Sequence, residues 1–174
     1  FMLVFDVFYM VNGELLFKAV ASILFVVTGL INLTYCMKNK TNLKFPIWMI
    51  VALICAMLGD VLLNINFHIG TIIFAVGHIF YFVSYCMLEK MNRRDLLCGI
   101  SISVIALAVI LFVPFLDFGN TLMQGICCAY GIIISFMVGK AISNLLKENN
   151  FINIIIVIGS ILFFISDFML LLNK

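Results

Sequence analysis

Charge is what this chain lacks most. Only 10% of its 174 residues are charged, while 66% are hydrophobic. Soluble domains run at roughly 25% charged and about 45–50% apolar. A mean hydropathy of +1.28 leaves too little polar surface to coat a water-soluble body. That excludes a cytosolic globular enzyme, a disordered region and a secreted disulfide mini-domain. No long basic stretch offers a face for nucleic acid. The six cysteines show neither zinc-module nor redox CxxC spacing, and the adjacent pair Cys127–Cys128 cannot form an unstrained disulfide. All six read as small apolar fillers. Prolines number two, Pro46 and Pro114, both near the ends of apolar runs. No linker, low-complexity tract or internal repeat stands out, so 1–174 reads as a single transmembrane helical domain.

What is present is long continuous apolar runs. A barrel strand alternates over about ten residues, whereas a spanning helix needs about 20 apolar ones. The runs predict an all-α polytopic bundle with six complete spans at 14–37, 45–64, 68–88, 96–115, 120–140 and 151–172. Residues 1–12 form a further apolar piece containing Asp6. At about 17 Å of helix it is too short to cross, and it reads as the tail of a longer first span.

The links alternate in charge. Lys38, Lys40 and Lys44, then Lys90, Arg93 and Arg94, then Lys140 and Lys147 place eight of ten basic residues on one side. Links 64–68 and 115–120 carry no Lys or Arg. The positive-inside bias therefore assigns the basic loops 38–44, 89–95 and 140–150 to the cytoplasm, in a multi-pass protein of the plasma membrane.

Ionisable groups inside spans are costly and need a partner or a purpose. Glu14, Lys18, Asp60, His78 and Asp167 are the candidates. On this topology Lys18, Asp60 and Asp167 lie roughly 6–8 Å below the outer boundary, with His78 near the midplane. Helical spacing puts small and polar residues on shared faces. Lys18, Ser22, Phe25, Gly29 and Asn32 align on one helix, and Ala52, Cys55, Ala56, Gly59 and Asp60 on the next. Gly70, Phe74, Gly77, His78, Tyr81 and Tyr85 form a third face, and Ser160, Phe164 and Asp167 a face of the last helix. Gln124, Cys128, Gly131 and Ser135 line the fifth span, whereas the fourth offers only Ser101 and Ser103 and reads as peripheral. Small stripes serve first as packing faces, and their aromatic members as core or as a substrate wall. Lys18 can pair with Glu14 four residues earlier and snorkel outward. For the two aspartates function is the default reading.

Three blocks carry a resemblance. They are Leu58-Gly59-Asp60, then Gly70-x-x-x-Phe74-x-x-Gly77-His78-x-x-Tyr81, then Gly159-Ser160-x-Leu162-Phe163-x-x-Ser166-Asp167. In this order, across nearly the whole chain, they resemble the YhhN-like lysoplasmalogenase family of multi-pass membrane proteins. Two departures stand out: Lys18-Ala19 where family members often carry Lys-Pro, and a chain ending at Lys174 where the eight-span family layout has another helix. The resemblance thus implies an eight-span fold trimmed at both ends.

It also implies hydrolysis of the sn-1 vinyl ether of a lysoplasmalogen, a lysophospholipid substrate taken from the bilayer, to a fatty aldehyde and a glycerophospho-base. Asp60 and Asp167 suit this chemistry: a carboxylic acid protonates the vinyl carbon, and a carboxylate stabilises the resulting cation and orients water. His78 and Tyr81 would orient an aspartate or the water. Lys18 would meet the substrate phosphate, with Ser166, Phe74 and Phe164 also lining the substrate site. No cofactor or metal is called for, and no Gly-x-Ser-x-Gly elbow supports a serine hydrolase. The alternatives are a small lipid or solute transporter with a proton-coupled Asp60/Asp167 site, and a zinc hydrolase in which carboxylates supplement His68 and His78.

Overall fold

The computed structural model describes residues 15–112 and 121–172, and among these it is all helix. The N-terminal apolar piece, Glu14 and Pro114 lie outside the described residues. Six helices follow one another: α1 (Leu15–Lys38), α2 (Lys44–Ile65), α3 (Phe67–Leu88), α4 (Arg93–Phe112), α5 (Thr121–Lys147) and α6 (Phe151–Leu172). Five of them, α2 to α6, are long and apolar enough to cross a membrane. At 22 residues, α2, α3 and α6 each reach about 33 Å, against a hydrocarbon core of about 30 Å.

The distribution of side chains is that of a protein dissolved in lipid. Lys140, His78, Asn144, Ser84, Ser135 and Ser160 are among the most fully buried side chains, while Ile31, Ile105, Ile155, Leu162 and Ile165 are exposed. Water would reverse that order; hydrocarbon imposes it, because polar groups must find partners inside the protein.

The chain divides into two compact units, Phe1–Met87 and Leu88–Lys174. In the first, α1 turns into α2 through Lys40, which adopts a left-handed backbone (φ 51°). Thr41 N–H donates to the Cys36 carbonyl (3.1 Å) and Lys40 N–H to that of Met37 (3.3 Å), which closes α1 with a Schellman motif. Pro46 sits in the first turn of α2, where its missing N–H costs nothing. A single residue, Asn66, separates α2 from α3. Its extended backbone (φ −146°, ψ 110°) stops α2. Its carboxamide oxygen accepts from the N–H of His68 (3.1 Å) and of Ile69 (3.3 Å), and so caps α3.

The small-residue faces read from the sequence are where α2 and α3 meet. A Cβ on Gly77 would lie 3.3 Å from Cys55 and 3.4 Å from the Ala56 backbone. One on Gly70 would lie 2.5 Å from the Leu63 backbone, and one on Gly59 would collide with the Phe74 ring. The α1 face is rotated from its expected setting. Ser22 is buried and Gly29 lies against Leu53 and Ile50, but Phe25 and Asn32 are exposed.

In the second unit, several expectations are corrected. The basic link 140–150 shrinks to 148–150, because α5 runs on to Lys147, and Arg93 to Asp95 are the first turn of α4 rather than loop. Lys140 is not a solvated topology signal at all: it is fully buried and its Nζ lies 2.6 Å from Asp95. Nor is α4 a peripheral helix without polar anchorage. A Cβ on Gly139 would sit 2.5 Å from the Gly99 nitrogen, so α4 and α5 cross with their backbones nearly touching.

Candidate functional site

Among the described residues, each unit carries an aspartate near the end of a long apolar helix, Asp60 and Asp167, and each is bound by a hydroxyl from the helix before it. In the first unit Ser22 of α1 donates to Asp60 Oδ2 across 2.5 Å. Asp60 is half-buried, five residues before the end of α2. In the second unit Tyr130 of α5 donates to Asp167 Oδ2. Asp167 is likewise half-buried and five residues before the end of α6.

Next to Asp60, α3 carries a ladder of buried rings. Phe74 and His78 have ring centroids 6.0 Å apart, His78 and Tyr81 6.0 Å, and Tyr81 and Tyr85 6.5 Å. The i, i+3, i+4 spacing of these residues generates the ladder, since each ring lies over the turn before it. Phe74 presses on Gly59, the neighbour of Asp60, so the absent side chain at 59 is what admits the ring. His78 is 1% exposed.

The remaining expected residues are less gathered. Phe164 is half-buried on α6, whereas Ser166 is exposed. Lys18 lies on α1, with its side chain outside the described set. Among the described residues no three of His, Cys, Asp and Glu cluster closely enough to hold a metal ion.

Sequence reasoning missed Tyr130 entirely and placed Ser22 on a stripe without a role. It also missed the polar knot at the other end of the second unit. There Asp95 Oδ2 accepts from the Asn92 N–H (2.8 Å) and from Lys140 Nζ (2.6 Å), while Oδ1 accepts from Ser143 (2.5 Å). Asp95 therefore caps α4 in capping-box fashion and also ties it to α5. Lys140 adds a bond to the Lys90 carbonyl (3.3 Å). Asn150 caps α6 through the Asn153 N–H (2.8 Å), and Asn153 reaches back to the Glu148 carbonyl (2.8 Å). The Asn92-x-x-Asp95 spacing is a signal that could have revealed the α4 cap.

Long apolar helices, polar groups turned inward and hydroxyl-bonded aspartates define a polytopic membrane protein with carboxyl groups inside its spans. The YhhN family matches residues 13–174, and the chain belongs to that family, which includes lysoplasmalogenases. Searches of curated proteins and of solved structures found no match.

Proposed function

We propose that this protein hydrolyses the vinyl ether of a lysoplasmalogen, using Asp60 and Asp167 and no metal. The observation that carries the reading is a carboxyl group held by a hydroxyl on membrane helices in each unit, within a chain of the YhhN family. One aspartate, as the neutral acid, delivers its proton to the β-carbon of the vinyl ether. The electron pair of the double bond forms the new C–H bond, and the α-carbon becomes an oxocarbenium centre. The other aspartate, as carboxylate, balances that charge and takes a proton from the water attacking the α-carbon. As the hemiacetal breaks its bond to the glycerol oxygen, the second aspartate returns its proton to that oxygen and the first, now a carboxylate, takes the hydroxyl proton, so that a fatty aldehyde is released and both carboxyl groups regain their starting states. Neutralising a cation that exists only along the reaction path is differential binding of the transition state.

In this reading His78 and Tyr81 support the Asp60 side of the site, Phe74 and Phe164 contact the alkenyl chain, and Ser166 contacts the lipid near Asp167. Lys18 meets the substrate phosphate. The protein works in the plasma membrane with its basic ends in the cytoplasm. The test is aldehyde release from a lysoplasmalogen by the purified protein. Asp60→Asn and Asp167→Asn should each leave a hundredth of the activity or less, as general acid–base catalysis contributes about 10²–10⁴-fold. A chelator should leave the wild-type rate unchanged. Full activity in either variant defeats the two-aspartate mechanism, and loss on chelation brings the zinc reading forward.

A further inference from the structure

Serine and threonine hydroxyls inside helices usually bond the carbonyl one turn back. Thr28, Thr71, Ser101, Ser103 and Ser135 all do so here, at 2.6–2.8 Å from Leu24, Phe67, Leu97, Gly99 and Gly131. Ser22 does not. Its hydroxyl crosses to the next helix and donates to Asp60, 38 residues on. The Tyr130 phenol likewise crosses to Asp167, 37 residues on. Both contacts join the two helices of a hairpin, and both aspartates occupy the same place in their helices, five residues before the end.

From this we infer that Ser22 and Tyr130 are positioning residues, each fixing the plane of the carboxyl group that it touches. The inference rests on the vinyl-ether reaction proposed above. A carboxyl group turns about its Cβ–Cγ bond over a broad, low barrier. Proton transfer to carbon needs one orientation, aimed at the vinyl carbon, and charge balance needs the second carboxylate aimed at the cation. A hydroxyl from a neighbouring helix supplies that restraint without touching substrate. Reactive groups must be held to within about 0.5 Å and 10–20° of the productive geometry. A misplacement of about 1 Å can cost 10²-fold.

The experiment is steady-state aldehyde release by purified Ser22→Ala, Ser22→Thr and Tyr130→Phe, alongside thermal unfolding of each. Ser22→Ala and Tyr130→Phe should lower kcat about 10- to 100-fold with KM unchanged, and should lower the unfolding midpoint by no more than the loss of one interhelical hydrogen bond, leaving each variant folded at the assay temperature. Ser22→Thr keeps a hydroxyl at the same place and should restore most of kcat. Full kcat in Ser22→Ala or Tyr130→Phe overturns the assignment. So does a loss shared by Ser22→Thr, or one that comes with unfolding at the assay temperature, since either marks the side chain as structural. If wild-type protein releases no aldehyde, the reaction falls and this inference with it. If wild type is active, the asparagine variants are dead and Tyr130→Phe is unimpaired, the inference alone falls.

Discussion

A single carboxylate does two structural jobs at the basic end of the second unit. Asp95 closes the first turn of α4 and neutralises Lys140, which has no water to turn to. Removing one member of a buried ion pair leaves the other charge uncompensated, at a cost of about 3–5 kcal/mol. Asp95→Asn should therefore lower the unfolding midpoint sharply in detergent. Lys140→Met added to Asp95→Asn should recover much of the loss, because no lone charge remains. An Asp95→Asn protein as stable as wild type would show that Lys140 reaches water. The pair also shows why a charge reads wrongly from sequence. Lys140 counts as a loop signal until a carboxylate 45 residues away is known to meet it. Separations of 38 and 37 residues likewise hide the Ser22–Asp60 and Tyr130–Asp167 bonds, whereas Asp60 and Asp167 themselves stand out because charge inside an apolar run needs no partner to be noticed.

Helices were legible because lipid demands length, and 22 apolar residues satisfy that demand whatever their neighbours. Their ends were less so. The close of α2 at Asn66 came within one residue, while α5 outran its apolar run by seven because Lys140, Ser143 and Asn144 are buried by partners rather than by their own hydrophobicity. The contact faces of α2 and α3 followed from the small-residue spacing. The α4–α5 crossing did not: Gly139 extends the α5 stripe of Gly131 and Ser135 by one turn, but its partner Gly99 lies on a helix that read as peripheral. That crossing yields a sharp comparison. Gly139→Ala would drive a methyl group into the Gly99 backbone, whereas Gly125 has no neighbour within 4 Å of such a group. Gly139→Ala should destabilise the protein, and Gly125→Ala should be neutral or stabilising by up to about 1 kcal/mol, as alanine favours helix over glycine. Equal unfolding midpoints for the two variants would mean that α4 and α5 separate without penalty.

For the molecule as a whole, orientation rests on the basic residues that remain once Lys140 is set aside. Lys38, Lys40, Lys44, Lys90, Arg93, Arg94 and Lys147 still flank three of the links, against none at 64–68. Reporter fusions after Lys40, Arg93 and Lys147 should read cytoplasmic, and fusions at Asn66 and Asn120 external. A cytoplasmic signal at Asn66 would turn the protein over and carry Asp60 and Asp167 to the inner half of the bilayer. Each compact unit carries its own hydroxyl–aspartate contact, a side-chain pairing that leaves no mark in composition.

The one-residue link at Asn66 also governs how the chain enters the bilayer during synthesis. A ribosome delivers α2 first, but with a single residue before α3 there is no tether on which one helix can wait in water while the other is threaded. We expect the two to leave the translocation channel together as a helical hairpin. Asp60 then crosses within a unit of some 44 largely apolar residues rather than 22, which halves its share of the insertion energy per residue.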